Sequence, residues 1–116
     1  MEKIYYALGL MSGTSMDGID AAILSRDNEG RLKGGPCCTV PYDSAFKSAL
    51  RGILGGTAAA CEIASVARRL TEEHAKIVHL ILDENNINRR DIDVIGFHGH
   101  TIMHKPNVRK TWQIGD

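Results

Sequence analysis

The sequence IYYALGLMSGTSMDGIDAAIL, residues 4–24, contains two apolar segments separated by a run of small and polar residues. The segments Ile4–Leu10 and Ile19–Leu24 are rich in apolar and aromatic side chains, which is typical of buried strands. The residues between them, MSGTSMDG, are of the types that turns favour. This stretch therefore predicts a strand, a small-residue loop and a second strand.

The rest of the chain predicts a third strand, two helices and a further strand. The expected elements are a strand at Cys37–Pro41, a helix capped by Asp43 or Ser44 and ending at Leu54, a helix capped by Thr57 and ending at Glu84, a strand at Asp93–Phe97 and an extended segment at Thr111–Gly115. The second helix would be about 28 residues long, which leaves a break within it open. A three-stranded meander followed by helices and another strand predicts an α/β fold that begins like a ribonuclease-H-like sheet, on which actin, Hsp70-type ATPases and sugar kinases are built.

Composition excludes several classes of protein. The chain has 116 residues, 43% of them hydrophobic, and its 14 basic residues balance 14 acidic ones. This charge balance argues against nucleic acid or an anionic membrane as the main partner, and the sequence offers no apolar run near the roughly 20 residues of a spanning helix. Three cysteines, two of them adjacent, make a poor disulfide framework. A reduced, cytoplasmic protein is expected.

The loop Met11–Asp20 has the composition of a phosphate-binding turn. Its glycines allow successive backbone N–H groups to point into one concavity and hold an anion, and its hydroxyl groups add donors. A carboxylate there repels a bare phosphate but becomes useful when Mg²⁺ lies between the two. Composition alone leaves an ordinary polar hairpin connection open.

A second polar cluster lies in GFHGHTIMHKP, residues 96–106. His98 and His100 are two residues apart, so in an extended chain they would share a face, and His104 could fold back toward them. Three histidines could bind zinc, line a polar pocket for a sugar, or form hydrogen bonds within the core. The residue pattern leaves these alternatives open.

Three segments together resemble the anhydro-N-acetylmuramic acid kinase family. Residues Met11–Asp20 match its pattern M-S-G-T-S-x-D-G-x-D throughout. Residues Gly96–His104 match G-x-H-G-Q-T-x-x-H, except that His100 stands where glutamine is usual. Residues Thr111–Asp116 match T-L-Q-I-G-D, with Trp112 in place of leucine. The likeness covers essentially the whole chain.

The resemblance implies an ATP-dependent sugar kinase with an actin-like, two-lobed fold. Such enzymes open the 1,6-anhydro ring of anhydro-N-acetylmuramic acid with water and phosphorylate the freed O6, which gives N-acetylmuramic acid 6-phosphate in peptidoglycan recycling. ATP and Mg²⁺ are the implied cofactors, the amino sugar is the implied substrate, and a homodimer of the full-length protein is left open. The rival interpretation is a non-enzymatic metal-binding module formed by His98, His100 and His104.

The resemblance also implies which residues serve each substrate. The ATP phosphates would be bound by Gly13, Thr14, Ser15, Met16, Asp17, Gly18, Ile19 and Asp20, with Asp17 holding magnesium through water. The sugar side of the cleft would be lined by His98, Gly99, Thr101, Gln113 and Asp116. Because imidazole cannot offer both the donor and the acceptor of a glutamine amide, His100 puts one polar contact on that side in doubt.

The catalytic base of the family is an aspartate in a later G-x-D-T-G-P-G-N segment, beyond Asp116. Residues 1–116 are therefore expected to form the N-terminal part of the first actin-like lobe, without the adenosine-binding lobe. Kinase catalysis depends on positioning and electrostatic stabilisation between lobes. This part alone is expected to be inactive.

Overall fold

Four strands form one mixed sheet in the computed structural model, which describes residues 3–13, 17–105 and 110–115 and, within them, all side chains except those of residues 101, 103–105 and 110–112. The strands are β1 (Tyr5–Ser12), β2 (Gly18–Arg26), β3 (Leu32–Pro41) and β4 (Val94–Phe97). Their order across the sheet is β3-β2-β1-β4, with antiparallel pairing except between β1 and β4, which are parallel. The predicted α/β class and the meander followed by a further strand are confirmed.

Two helices connect β3 to β4 and cover one face of the sheet. Helix α1 spans Ser44–Ile53 and helix α2 spans Ala60–Glu84 without a break. Asp43 caps α1 as expected, because its Oδ1 accepts a hydrogen bond of 2.7 Å from the backbone N–H of Phe46. The expected cap of α2 at Thr57 is wrong. A 3-10 helix with left-handed glycines occupies Leu54–Gly56, and α2 begins only after Ala59, which makes no side-chain capping bond.

The hydrophobic core lies between the helices and one face of the sheet. Along β1, Leu8 and Leu10 are buried, whereas Gly9 and Met11 are exposed, because successive side chains of a strand point to opposite faces. Helix α2 contributes apolar residues at three- and four-residue spacing, as the sequence predicts. The main core side chains of the two helices are Phe46, Leu50, Ile53, Ile63, Val66, Leu70, Ile77 and Ile81. No helix among the described residues has the length and apolar character needed to cross a membrane.

A two-stranded hairpin follows β4. It consists of β5 (His100–Lys105) and β6 (Lys110–Ile114), which pair antiparallel. The extended segment expected at the end of the chain is confirmed by β6, whereas the sequence did not predict β5. The turn into β5 is made by Gly99, which has a φ of 79° and lies so close to the carbonyl oxygen of Ile114 that a Cβ would overlap it. The chain therefore bends sharply between β4 and β5.

Candidate functional site

The predicted phosphate loop joins the end of β1 to the start of β2. Thr14, Ser15 and Met16 lie outside the described residues. On either side of them, Asp17 and Asp20 are exposed, whereas Gly18 and Ile19 are buried, and Ile19 packs in the hydrophobic core. The two carboxylates thus face solvent, while the buried residues between them fix the position of the chain where it enters β2.

The part of the loop that leads into β2, Asp17 and Gly18, is called the returning arm, and it contacts the end of β3. A Cβ on Gly18 would overlap the carbonyl oxygen of Val40 and lie 2.7 Å from Cα of Pro41. Glycine is therefore required for β3 to approach this arm so closely. The carbonyl oxygen of Asp17 accepts a hydrogen bond of 3.0 Å from the backbone N–H of Tyr42.

The part of the chain that leads from β1 into the loop, at Ser12, is called the outgoing arm, and a buried hydrogen-bond network holds it in place. The hydroxyl of Tyr42 donates to Oγ of Ser12 at 2.7 Å, and the same Oγ lies 2.9 Å from Nδ1 of His100. All three side chains are buried, His100 completely. Burial raises the pKa of Tyr42 and lowers the pKa of His100, so that both groups are neutral near neutral pH. The network joins β1, the segment before α1 and the start of β5.

A second buried histidine, His74 on α2, lies near His100. Nδ1 of His74, on α2, donates to the carbonyl oxygen of Leu70 at 2.7 Å, and its ring packs edge-on against Phe97 with centroids 4.6 Å apart. Burial lowers the pKa of His74, and the hydrogen bond to Leu70 offsets part of that effect. In the described part of the chain, neither Nε2 of His74 nor Nε2 of His100 has a hydrogen-bond partner.

The opposite face of the sheet carries an open groove of about 970 Å³. Its floor is formed by small residues in register, because Gly9 pairs with Ala22 on one side and with Gly96 on the other. Asp20 and His98 both line the groove. The fold therefore brings a carboxylate of the first motif and an imidazole of the second motif to one cavity.

Two residues of the predicted sugar side contact each other. Nε2 of Gln113 lies 3.2 Å from Nε2 of His98, and both side chains are exposed. An amide nitrogen only donates, so Nε2 of His98 is the acceptor of this hydrogen bond. Gly99 is buried and shapes the turn between β4 and β5. The side chain of Thr101, and Asp116 as a whole, lie outside the described residues.

The expectation that His98 and His100 share a face is wrong. His98 is exposed beside Gln113, whereas His100 is buried against Ser12, because the left-handed conformation of Gly99 turns the chain between them. The side chain of His104 is outside the described residues. Among the residues that are described, no group of three histidine, cysteine, aspartate or glutamate side chains could hold a metal ion. The metal-binding interpretation therefore gains no support.

Two residues near the loop were not predicted from the sequence. The hydroxyl of Thr39 donates to Oδ1 of Asp20 at 2.5 Å, and the two residues are paired across β2 and β3. Directly paired residues of antiparallel strands project to the same face, so the strand register, once known, identifies Thr39. The sequence gives no comparable indication for Tyr42, because its contact with Ser12 joins residues 30 positions apart that are not paired between strands.

Comparison with known proteins gives a consistent result over nearly the whole chain. The sequence profile of a family described as anhydro-N-acetylmuramic acid kinase matches residues 5–116. The curated anhydro-N-acetylmuramic acid kinase of Paramagnetospirillum magneticum is 48% identical over 110 residues, which are 95% of this chain and 30% of that protein. The protein of the same name from Rhodospirillum rubrum is 45% identical over 114 residues, or 96% of this chain and 29% of the relative. That of Rhizobium etli is 37% identical over 123 aligned positions, covering 100% of this chain and 33% of the relative. The chain thus spans about a third of the length of these relatives.

Proposed function

Because the chain belongs to the anhydro-N-acetylmuramic acid kinase family, we propose that the full-length protein phosphorylates anhydro-N-acetylmuramic acid with ATP. In the proposed reaction, water adds at the anomeric carbon and breaks the 1,6-anhydro bond, and the freed O6 takes the γ-phosphoryl group. The products are ADP and N-acetylmuramic acid 6-phosphate, as peptidoglycan recycling requires. The observation that carries the proposal is the family match over residues 5–116.

We also propose that the sheet is the beginning of a ribonuclease-H-like, actin-like lobe. The order β3-β2-β1-β4, with two antiparallel pairs and one parallel pair, supports this assignment. In this proposal residues 1–116 form the N-terminal part of the first lobe. In the same proposal, the catalytic aspartate and the adenosine site lie in the part of the relatives' length that the match does not cover, and catalysis requires both.

The loop from Gly13 to Asp20 is proposed to bind the ATP phosphates. Asp17 fits the role of holding Mg²⁺ through water, because its carboxylate is exposed and makes no hydrogen bond or ion pair with the described residues, whereas the carboxylate of Asp20 is held by Thr39. Magnesium bound there would neutralise charge on the phosphates. Since the reaction consumes ATP, the protein is proposed to act in the cytoplasm.

The exposed pair His98 and Gln113 is proposed to bind the sugar. The two side chains are already held together by a hydrogen bond, and each retains polar atoms for hydroxyl or acetamido groups of a ligand. His98 also lines the groove that Asp20 reaches. This common cavity supports a cleft in which sugar and nucleotide approach each other.

The proposal is tested with the full-length protein, ATP, Mg²⁺ and anhydro-N-acetylmuramic acid. The expected product is the 6-phosphate, and in water enriched in oxygen-18 the label should appear in the anomeric hydroxyl. Absence of ATP-dependent phosphorylation of the anhydro sugar would refute the proposed function.

The role of Asp17 is tested by Asp17→Asn, which is expected to lower kcat/KM about tenfold or more and to raise the Mg²⁺ concentration needed for half-maximal rate. The matched control is Asp83→Asn, an exposed position on α2, which should leave both quantities unchanged. Normal turnover of Asp17→Asn would remove Asp17 from the mechanism without affecting the family assignment.

A further inference from the structure

We propose that Tyr42 is a positioning residue that holds both arms of the phosphate loop and thereby sets nucleotide affinity without contacting the nucleotide. The inference rests on the proposed function of that loop. Tyr42 makes two separate hydrogen bonds, one from each donor group it carries. Its hydroxyl donates to Oγ of Ser12 on the outgoing arm at 2.7 Å, and its backbone N–H donates to the carbonyl oxygen of Asp17 on the returning arm at 3.0 Å.

These bonds lie where the pairing of β1 with β2 stops. The register of β1 and β2 ends at the pair Ser12 and Ile19, so the chain between them receives no further support from the β1–β2 ladder. On the other side of β2, the pairing with β3 continues to Gly18 and Pro41, and the bond from Tyr42 to Asp17 lies at the next position of that register. A single residue outside the loop therefore connects its two ends.

Tyr42 is itself held firmly by its surroundings. Its ring is buried and packs edge-on against Phe46 with centroids 4.9 Å apart. The next residue, Asp43, caps α1, and its other carboxylate oxygen lies 3.5 Å from the guanidinium of Arg69 on α2. Arg69 also lies over the ring of Phe46 at 5.0 Å. Because packing and not the hydroxyl fixes the ring, removal of the hydroxyl should leave the ring in place.

Loop geometry matters for phosphate binding because several backbone N–H groups must point at one anion together. A change in the separation of the arms misdirects all of them, so nucleotide affinity should fall while sugar affinity does not. Tyr42→Phe removes the bond to Ser12 and keeps the ring, and Ser12 retains His100 as a partner.

The test is steady-state kinetics of full-length Tyr42→Phe with each substrate varied in turn. We expect the KM for ATP to rise about three- to tenfold, as for the loss of one buried hydrogen bond, with the KM for the sugar and kcat close to those of the wild type. The control Tyr5→Phe removes a hydroxyl from an exposed tyrosine at the start of β1 and should leave kcat and both KM values unchanged. In a Ser12→Ala background, Tyr42→Phe should have little additional effect, since its partner is already lost.

Binding of ADP, measured by titration calorimetry on the same variants, separates this inference from the proposed function. Weaker ADP binding by Tyr42→Phe than by Tyr5→Phe supports the positioning role, whichever sugar the enzyme phosphorylates. Equal ADP binding, an equal rise of both KM values, or a lower unfolding temperature without a change in nucleotide affinity would overturn it. Failure to phosphorylate the anhydro sugar would refute the proposed function instead.

Discussion

Oγ of Ser12 lies 2.9 Å from Nδ1 of His100, although 88 residues separate them in the chain. Ser12 ends β1 and belongs to the first motif, whereas His100 begins β5 and belongs to the second. His100, at the position where the family pattern has glutamine, is completely buried next to Ser12. Among the described residues, the hydrogen-bond partner of His100 is Ser12. That His100 puts one polar contact on the sugar side in doubt stays a prediction.

This location predicts the outcome of His100→Gln. A glutamine amide can donate to or accept from Ser12, so the variant should fold and keep its KM for ATP within about twofold of the wild type. His100→Ala instead leaves a cavity and removes one of the two hydrogen-bond partners of Ser12, and should lower the free energy of unfolding by about 2–3 kcal/mol. Urea denaturation and ATP kinetics of the two full-length variants provide the measurement. Equal destabilisation by both substitutions would show that the hydrogen bond contributes nothing.

The two buried histidines predict that acid destabilises the protein. Burial lowers the pKa of His74 and of His100 below the ordinary value of about 6.5, which both recover on unfolding. Below that pH the unfolded state binds more protons than the folded state, so the free energy of unfolding falls as pH falls, until the native pKa values are reached. Each histidine contributes up to about 1.4 kcal/mol per pH unit in that window.

Urea titrations between about pH 7.5 and pH 5.5 test this dependence. The slope should decrease in His100→Gln relative to the wild type, because burial lowers the pKa of His100. The acidic group that faces His74 is Glu73, which acts against the effect of burial. If the slope of His100→Gln equalled that of the wild type, His100 would bind protons equally in the folded and the unfolded state.

The sheet could be predicted from the sequence because apolar segments and turn residues alternate sharply. Residues 4–24 predicted both strands of the first hairpin, and the apolar segment Asp93–Phe97 predicted the further strand. The start of α2 could not be predicted in the same way. Thr57 is a good capping residue, but Gly55 and Gly56 adopt left-handed conformations that turn the chain just before it, and the helix begins only at Ala60.

The site could be predicted only where local sequence determines it. The motif residues Asp20 and His98 do reach one groove, but the assignment of a shared face to His98 and His100 failed on the φ of Gly99, which a sequence of alternating histidines does not reveal. Tyr42 and Thr39 act through contacts between strands and loops distant in sequence. Such contacts depend on register and packing, which a single sequence does not specify.

Gly99 predicts a large difference between two glycine substitutions. At Gly99 a Cβ would overlap the carbonyl oxygen of Ile114, and φ is 79°, so Gly99→Ala should lower the free energy of unfolding by about 2 kcal/mol or more. Gly52 lies in α1 with open space around it, so Gly52→Ala should raise stability by about 0.5–1 kcal/mol. Denaturant unfolding of the two full-length variants measures both changes. A Gly99→Ala protein as stable as Gly52→Ala would contradict the sharp turn into β5.

The pairing of His98 with Gln113 predicts a substrate-selective effect. In His98→Ala, Gln113 loses the partner that holds its amide, and the groove loses an imidazole at the end where Asp20 lies. The KM for the anhydro sugar should therefore rise about tenfold, whereas the KM for ATP should stay within about twofold of the wild-type value. His79→Ala removes an exposed imidazole from α2 and serves as the control for loss of a histidine. If His98→Ala raised the KM for ATP instead, His98 would belong with Asp20 to the nucleotide side of the groove, and the sugar would have to bind elsewhere.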